Sequence, residues 1–329
     1  MEYSTDPLFI DAVSPLFTSL PKTAKQYLAG GVHAIGATIP PFHGGSFVQG
    51  VEGATKLRQT LEANNELLFV ENIDDFRKAQ ESKRLGVYLH AQSLQFIEDD
   101  IDHLYTLRLL GVRVAQIAYN RGNMLGAGCH EENDAGLTRL GRRAVARMNE
   151  LGIVVDLSHC GMRTSLEAIE LSQKPSIFSH SACKAVYEHT RNITDAQIRA
   201  VAAKGGVVGI PALSYFVGPQ PVTVGDVVRH VIHVATLVGV EHVALGPDYF
   251  TGVFPYESAE EQSKNDREAI DSGMWDEDDF FPAPTTMPKG IETPAQLGVL
   301  KLELGKHFSP DELAMVLGGN WLRVFTACW

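Results

Sequence analysis

The chain is poor in cysteine and in positive charge, and it has no long apolar run. Its four cysteines, Cys129, Cys160, Cys183 and Cys328, are widely spaced and form no CxxC pair. That spacing excludes a zinc ribbon or a thioredoxin-type motif and favours a reducing cytoplasm. Lys and Arg number 28 against 40 Asp and Glu, a formal charge of −12. Nucleic-acid binders and basic membrane-surface proteins need clustered positive charge, so neither partner is expected. No stretch approaches the roughly 18 apolar residues of a membrane span; even 227–240 carries Arg229, His230 and His233. The opening MEYSTDPLFIDAV lacks a basic region followed by an apolar core and does not read as a secretory signal. A GxGxxG after the first apolar run is also missing, which counts against a dinucleotide-binding sheet.

What is present is the composition of an ordinary folded protein, 44% hydrophobic and 21% charged. Short apolar runs alternate with amphipathic stretches. Eight candidate strands are Leu8–Val13, Val32–Thr38, Gly86–Gln92, Val112–Tyr119, Ile153–His159, Ser176–His180, Gly206–Ile210 and His242–Asp248. Between them the pattern predicts helices over Asp74–Arg84, Glu98–Leu110, Thr138–Leu151, Arg163–Ser172, Thr194–Ala203 and Val224–Leu237. Eight βα units point to an α/β fold, a (β/α)8 TIM barrel that uses residues 1–329 as one domain. A last helix, Pro310–Thr326, opens on the cap residue Ser309 and is expected to pack on the barrel exterior.

A barrel enzyme builds its site at the C-terminal ends of its strands. Those ends are polar here: His90 and Gln92, Tyr119 and Asn120, Asp156 and His159, Ser179 and His180, and Asp248. His159 and His180 close consecutive strands, and neighbouring strands run about 5 Å apart, so both imidazoles can reach one metal ion. Asp248 can cross the mouth as a ligand or proton shuttle. Arg191, in a loop 11 residues beyond His180, can hold a carboxylate through its two-pronged guanidinium. The structural alternatives stay open at this point: histidines bonded to loop backbone, an arginine in a salt bridge, a packing role for Tyr119. Cys160 and Cys183 read as small buried fillers.

The segments DLSHCG at 156–161, FSHSAC at 178–183, HTRN at 189–192, LGPDY at 245–249 and GGNWLRVF at 318–325 together resemble the renal or membrane dipeptidase family, peptidase family M19. The match runs in order from about residue 86 to the end. The resemblance implies an amidohydrolase-like barrel that hydrolyses dipeptides with two bridged zinc ions. It implies that His159 and His180 hold the second zinc, that Arg191 holds the substrate carboxylate, and that Asp248 lies at the first zinc and carries the proton.

Three of the family's metal ligands are missing. Val13 and Pro15 stand where the first-strand His-x-Asp belongs, Gln92 takes the place of the bridging glutamate, and Tyr119 that of a substrate-contacting histidine. Valine and proline side chains cannot coordinate, and a neutral amide bridges two dications poorly. The expected cofactor is therefore one zinc ion, on His159, His180 and Asp248, with Gln92, Tyr119 and Arg191 contacting substrate. His33 and His43 are the remaining candidates for replacement ligands. The expected activity is metal-dependent hydrolysis of a small amide or dipeptide-like molecule by activated water. Two rivals are a hydrolase or lyase for a non-peptide metabolite, with one metal or none, and an inactive binding protein. By analogy with related barrels a homodimer is expected. Finally, residues 257–279 hold ten acids against Lys264 and Arg267, a net of −8. They lie in the long acidic loop of about 250–293, whose field would favour a substrate carrying positive charge.

Overall fold

The structure, a computed structural model, describes residues 6–15, 19–41, 45–249, 258–271 and 287–329. Eight parallel strands follow one another around a nearly closed barrel: β1 (Ile10–Ser14), β2 (Ala34–Thr38), β4 (Leu85–Ala91), β5 (Val112–Gln116), β6 (Val154–Asp156), β7 (Ile177–Phe178), β8 (Val207–Ile210) and β9 (Val243–Leu245). These are the eight expected from the alternation, most of them trimmed, although β1 runs one residue past its expected end and β4 starts one residue early. A short β3 (Leu67–Phe69) pairs with the first half of β4, from Leu85 to Val87, ahead of where β5 takes over at Leu89. At three residues it carried no readable alternation.

The surrounding helices are α1 (Leu20–Ala29), α2 (Phe47–Glu62), α3 (Ile73–Ser82), α4 (His103–Leu109), α5 (Arg139–Leu151), α6 (Met162–Leu171), α7 (Asp195–Ala203), α8 (Ser214–Val217), α9 (Val224–Val238), α10 (Ala259–Asp271), α11 (Leu297–Leu304), α12 (Pro310–Ala314) and α13 (Asn320–Cys328). α2 escaped the sequence reading because two glycines weaken its helical signal. Both are close-approach positions: a Cβ on Gly50 would meet the Phe96 ring at 2.5 Å, and one on Gly53 the carbonyl oxygen of Pro40 at 2.6 Å. The capping box of Ser46 and Gln49 starts it. α10 lies within the acidic connection expected to be a loop. Asp276–Asp279, four of the ten acids of 257–279, fall outside the described residues, as does His43. No described helix is long and apolar enough to cross a membrane.

Two cores result from the period of two along each strand. Outward residues such as Ile35, Val87, Val155 and Val208 pack under the helices. Inward residues Ala12, Ala34, Tyr88, Val114, Val154, Ile177, Val207 and Ala244 form a second cluster with Trp321, Val324 and Phe325 of α13. The C-terminal helix, expected on the barrel exterior, thus packs against the inward cluster and closes the barrel floor. It is not one uninterrupted helix, because a π-helical turn over Met315–Gly319 separates α12 from α13. The Trp321 indole donates to the Leu245 carbonyl at 3.0 Å, and Gly209 leaves space for its ring. Trp321→Ala should therefore open a cavity in the barrel floor and cost about 3–5 kcal/mol, read as a lowered midpoint in urea unfolding.

Candidate active site

Two residues further along the same inward faces, the barrel interior turns polar. His90 follows Tyr88, Gln116 follows Val114, Asp156 follows Val154 and Ser179 follows Ile177, all fully buried. Asp156 accepts from the backbone of Ser158 at 3.0 Å and of Ser179 at 2.9 Å. It also accepts from the Ser179 hydroxyl at 2.5 Å and faces His90 Nε2 at 3.1 Å. Burial alone would raise its pKa, but His90, His180 and Ser179 outweigh it and hold the carboxyl far below the usual carboxylate range.

Beyond Asp156 the chain turns sharply and His159 adopts a left-handed backbone, φ 62°. The turn aims its ring at His180, with the two Nε2 atoms 2.9 Å apart. His159 Nδ1 donates to Asn120 Oδ1 at 2.5 Å, so its Nε2 carries a lone pair. Tyr119 stacks on the outer face of His159, ring centroids 4.0 Å apart. His180 is held at Nδ1 by Ser179 Oγ, 2.7 Å, and at its backbone N–H by Ser158 Oγ, 3.0 Å. Burial, then the Arg191 charge, push the pKa of both histidines well below the ordinary imidazole value.

Arg191 is 4% exposed and packs over the Phe216 ring. Nη2 donates to the His180 carbonyl at 2.7 Å and Nη1 to Ser181 Oγ at 3.1 Å. The fork expected to face a carboxylate is thus engaged with protein oxygens, while Nε is buried with no hydrogen-bond partner among the described residues. Asp248 follows β9 with φ 61°, and burial, eased only in part by Arg191, pushes its carboxyl up to about 7. Next to it lies Asp11 of β1, raised well above the carboxylate range by burial and by the Asp248 charge. Gln92 donates to Thr38 Oγ1 at 3.0 Å.

Where the resemblance placed further ligands, the end of β1 holds buried Val13 and Pro15. Between them, Ser14 Oγ bonds to the Tyr27 hydroxyl at 2.5 Å. His33 is overturned as a replacement ligand: it stands at the start of β2, where its Nδ1 accepts from the Phe9 backbone at 3.0 Å, at the end of the barrel opposite the histidine pair. Among the described residues no group of three or more His, Cys, Asp or Glu side chains gathers around one point. The side chains present do not fit a two-zinc centre. They offer one cation at most two imidazole nitrogens, His159 Nε2 and His180 Nε2, which face each other at 2.9 Å. Sequence reasoning brought this pair together but assigned no role to Asn120, Asp156 or the serines beside the histidines. Their signal was present in the period-two positions and in the DLSH and SHS segments.

The comparisons agree with this architecture. Two Schizosaccharomyces pombe proteins named as dipeptidases are 31% and 32% identical over 200 and 222 residues. Those segments are 58% and 66% of this chain but 48% and 46% of the relatives, so the chain spans about half their length. A crystal structure of an amidohydrolase from Pseudomonas aeruginosa is 28% identical, with a TM-score of 0.87 over 98% of this chain and 97% of that one. The family model described as membrane dipeptidase (peptidase family M19) matches residues 10–267. With that model spanning most of the barrel, the chain belongs to the membrane dipeptidase family.

Proposed function

We propose that the chain is a metal-dependent hydrolase of a small amide or dipeptide-like substrate. The observation that carries this reading is the pair of buried imidazole nitrogens, His159 Nε2 and His180 Nε2, facing each other at 2.9 Å at the ends of adjacent strands. One divalent cation held by these two histidines would polarise the scissile carbonyl and acidify water. Asp248 stands outside that pair. With its carboxyl near 7, it accepts a proton from the attacking water and passes it to the departing amine. Arg191 keeps a fixed positive charge beside the histidines, and its Nε–H is the donor left for a substrate carboxylate. Tyr119 and Gln92 line the same strand ends and contact the substrate. The acidic connection after Asp248 supports a substrate with a free amine.

Two outcomes test this reading. Protein purified without chelator should carry about one zinc ion per chain and cleave members of a dipeptide or small-amide panel. The double variant His159→Ala/His180→Ala should lose both the metal and the turnover, as read by elemental analysis and amine release. An unchanged rate in the metal-free double variant would overturn the proposal.

The pH dependence follows from Asp248. A base must be ionised, so kcat should climb as pH rises through about 7. Asp248→Asn should lower kcat by about 10²- to 10⁴-fold and remove that limb. Stability moves the other way. Folded Asp248 keeps its proton up to about 7 while the unfolded group loses it near 3.8, so folding stability falls between those values as pH rises. Urea titrations of metal-free protein at pH 5 and pH 8 should show a smaller loss in Asp248→Asn.

A further inference from the structure

Two buried polar side chains take no part in the chemistry above, and both tie down the loops that seat Arg191. His230 lies in the second turn of α9 with no exposed surface, and Asn192 directly follows Arg191 in the chain. The Cys183 backbone N–H donates to His230 Nδ1 at 3.0 Å, and His230 Nε2 donates to the Val217 carbonyl at 2.8 Å. A backbone N–H can only donate and a carbonyl can only accept, so the neutral ring with its proton on Nε2 is the one form that makes both bonds. Burial lowers the pKa of His230 to about 4, which keeps the ring in that form at neutral pH.

The two backbone groups belong to different loops. Cys183 stands at the base of the loop after β7, where it pairs with Ile193 and where the Ile193 N–H reaches the Ala182 carbonyl at 2.9 Å. Val217 ends α8, the short helix after β8. Asn192 bridges the same two loops: its Nδ2 donates to the Tyr187 carbonyl at 2.9 Å and to the Phe216 carbonyl of α8 at 2.8 Å. Arg191 takes support from both. Its own loop supplies the His180 carbonyl and the Ser181 hydroxyl to the two Nη atoms, and α8 supplies the Phe216 ring, its centre 5.7 Å from the guanidinium carbon. Nε remains buried without a hydrogen-bond partner among the described residues.

We propose that His230 and Asn192 lash the loops after β7 and β8 together and so hold the Arg191 guanidinium against Phe216 with its Nε–H open to a substrate carboxylate. Both are positioning residues, acting through Arg191. The use of the lashing in holding a carboxylate rests on the hydrolase reading above.

The test uses the full chain with 15N-labelled arginine, in which the Arg191 Nε–H signal is assigned by its loss in Arg191→Lys. Steady-state kinetics are measured on L-Ala-L-Ala, or the fastest dipeptide of the panel above, and on its C-terminal amide, which has no carboxylate. In wild type the Arg191 Nε–H should resonate apart from exposed arginines and exchange slowly with water. His230→Phe keeps the bulk of the ring but makes neither bond. It should move that signal toward those of exposed arginines and raise KM for the dipeptide about 10-fold, with kcat changed less than about threefold and the amide unaffected. His230→Gln, whose carboxamide offers one acceptor and one donor, should restore the wild-type signal and most of the KM. Asn192→Ala cuts the second tie, should act as His230→Phe does, and carries the test where His230→Phe does not fold. Val234→Ala, a buried change on the same helix, controls for lost stability and should leave signal and KM as in wild type. An Nε–H signal that stays in place in both tie variants, or moves equally in Val234→Ala, would overturn the lashing. A moved signal with KM unchanged for both substrates, or raised alike for both, would overturn its role in holding a carboxylate. A wild type that cleaves no member of the panel, but whose Nε–H signal still answers to both tie variants, leaves the lashing standing and defeats the hydrolase reading instead.

Discussion

An ionised carboxylate with no exposed surface, Asp156, sets the terms for the upper half of the barrel. Removing such an ion from water costs several kcal/mol unless donors surround it. Here they come from two strand ends, the Ser158 backbone beyond β6 and the Ser179 backbone and hydroxyl beyond β7, with His90 Nε2 on β4 lying 3.1 Å away. These strands need the help. β6 and β7 share a single paired position, Asp156 with Ile177. Side-chain bonds from Asp156 to Ser179 therefore do much of the joining that a longer ladder would do elsewhere. The group that holds the two strand ends together also fixes the spacing of the histidines that follow them.

That spacing is maintained against local strain. Asn120, His159 and Asp248 all have left-handed backbones without being glycine, each costing about 1–3 kcal/mol. All three lie just past strand ends, in the turns that form the candidate site. The cost is offset by a rigid base, with one apolar layer outside the strands and another inside them. Trp321 matters to the site for this reason: it bonds to the carbonyl of Leu245, three residues before Asp248, and packs against Gly209.

Much of the barrel was legible because its strands are buried on both faces and read as apolar runs between turn residues. Every barrel strand was anticipated, most of them a few residues too long at the C-terminal end. The overshoot has a cause: Gln92, Tyr119, His159 and Asp248 look like continuations of their strands but belong to the turns that form the site. Among the elements missed, which include α1, α8 and α11, β3 was too short to show a period and α2 was diluted by glycines that Phe96 and Pro40 require. At the candidate site, residue type singled out His159, His180, Arg191 and Asp248. What it could not supply was direction. That the Arg191 fork turns inward to Ser181 and the His180 carbonyl depends on the path of a loop, and no spacing rule encodes it.

The end of β1 lacks the ligands that the family resemblance placed there. Val13 and Pro15 offer no ligand atom in their side chains there, and the Ser14 and Tyr27 hydroxyls between and beside them are bonded to each other. Asp11 and Asp248 are left as neighbouring buried acids with Arg191 as the cation that eases the nearer of them. One positive charge is not enough to hold Asp248 ionised well below neutrality. A carboxyl balanced near 7 is a weaker ligand than an ordinary aspartate and a better proton carrier, because it can both accept and release a proton at working pH. The same burial that counts against Asp248 as a ligand is thus what underlies the proton-transfer role proposed for it.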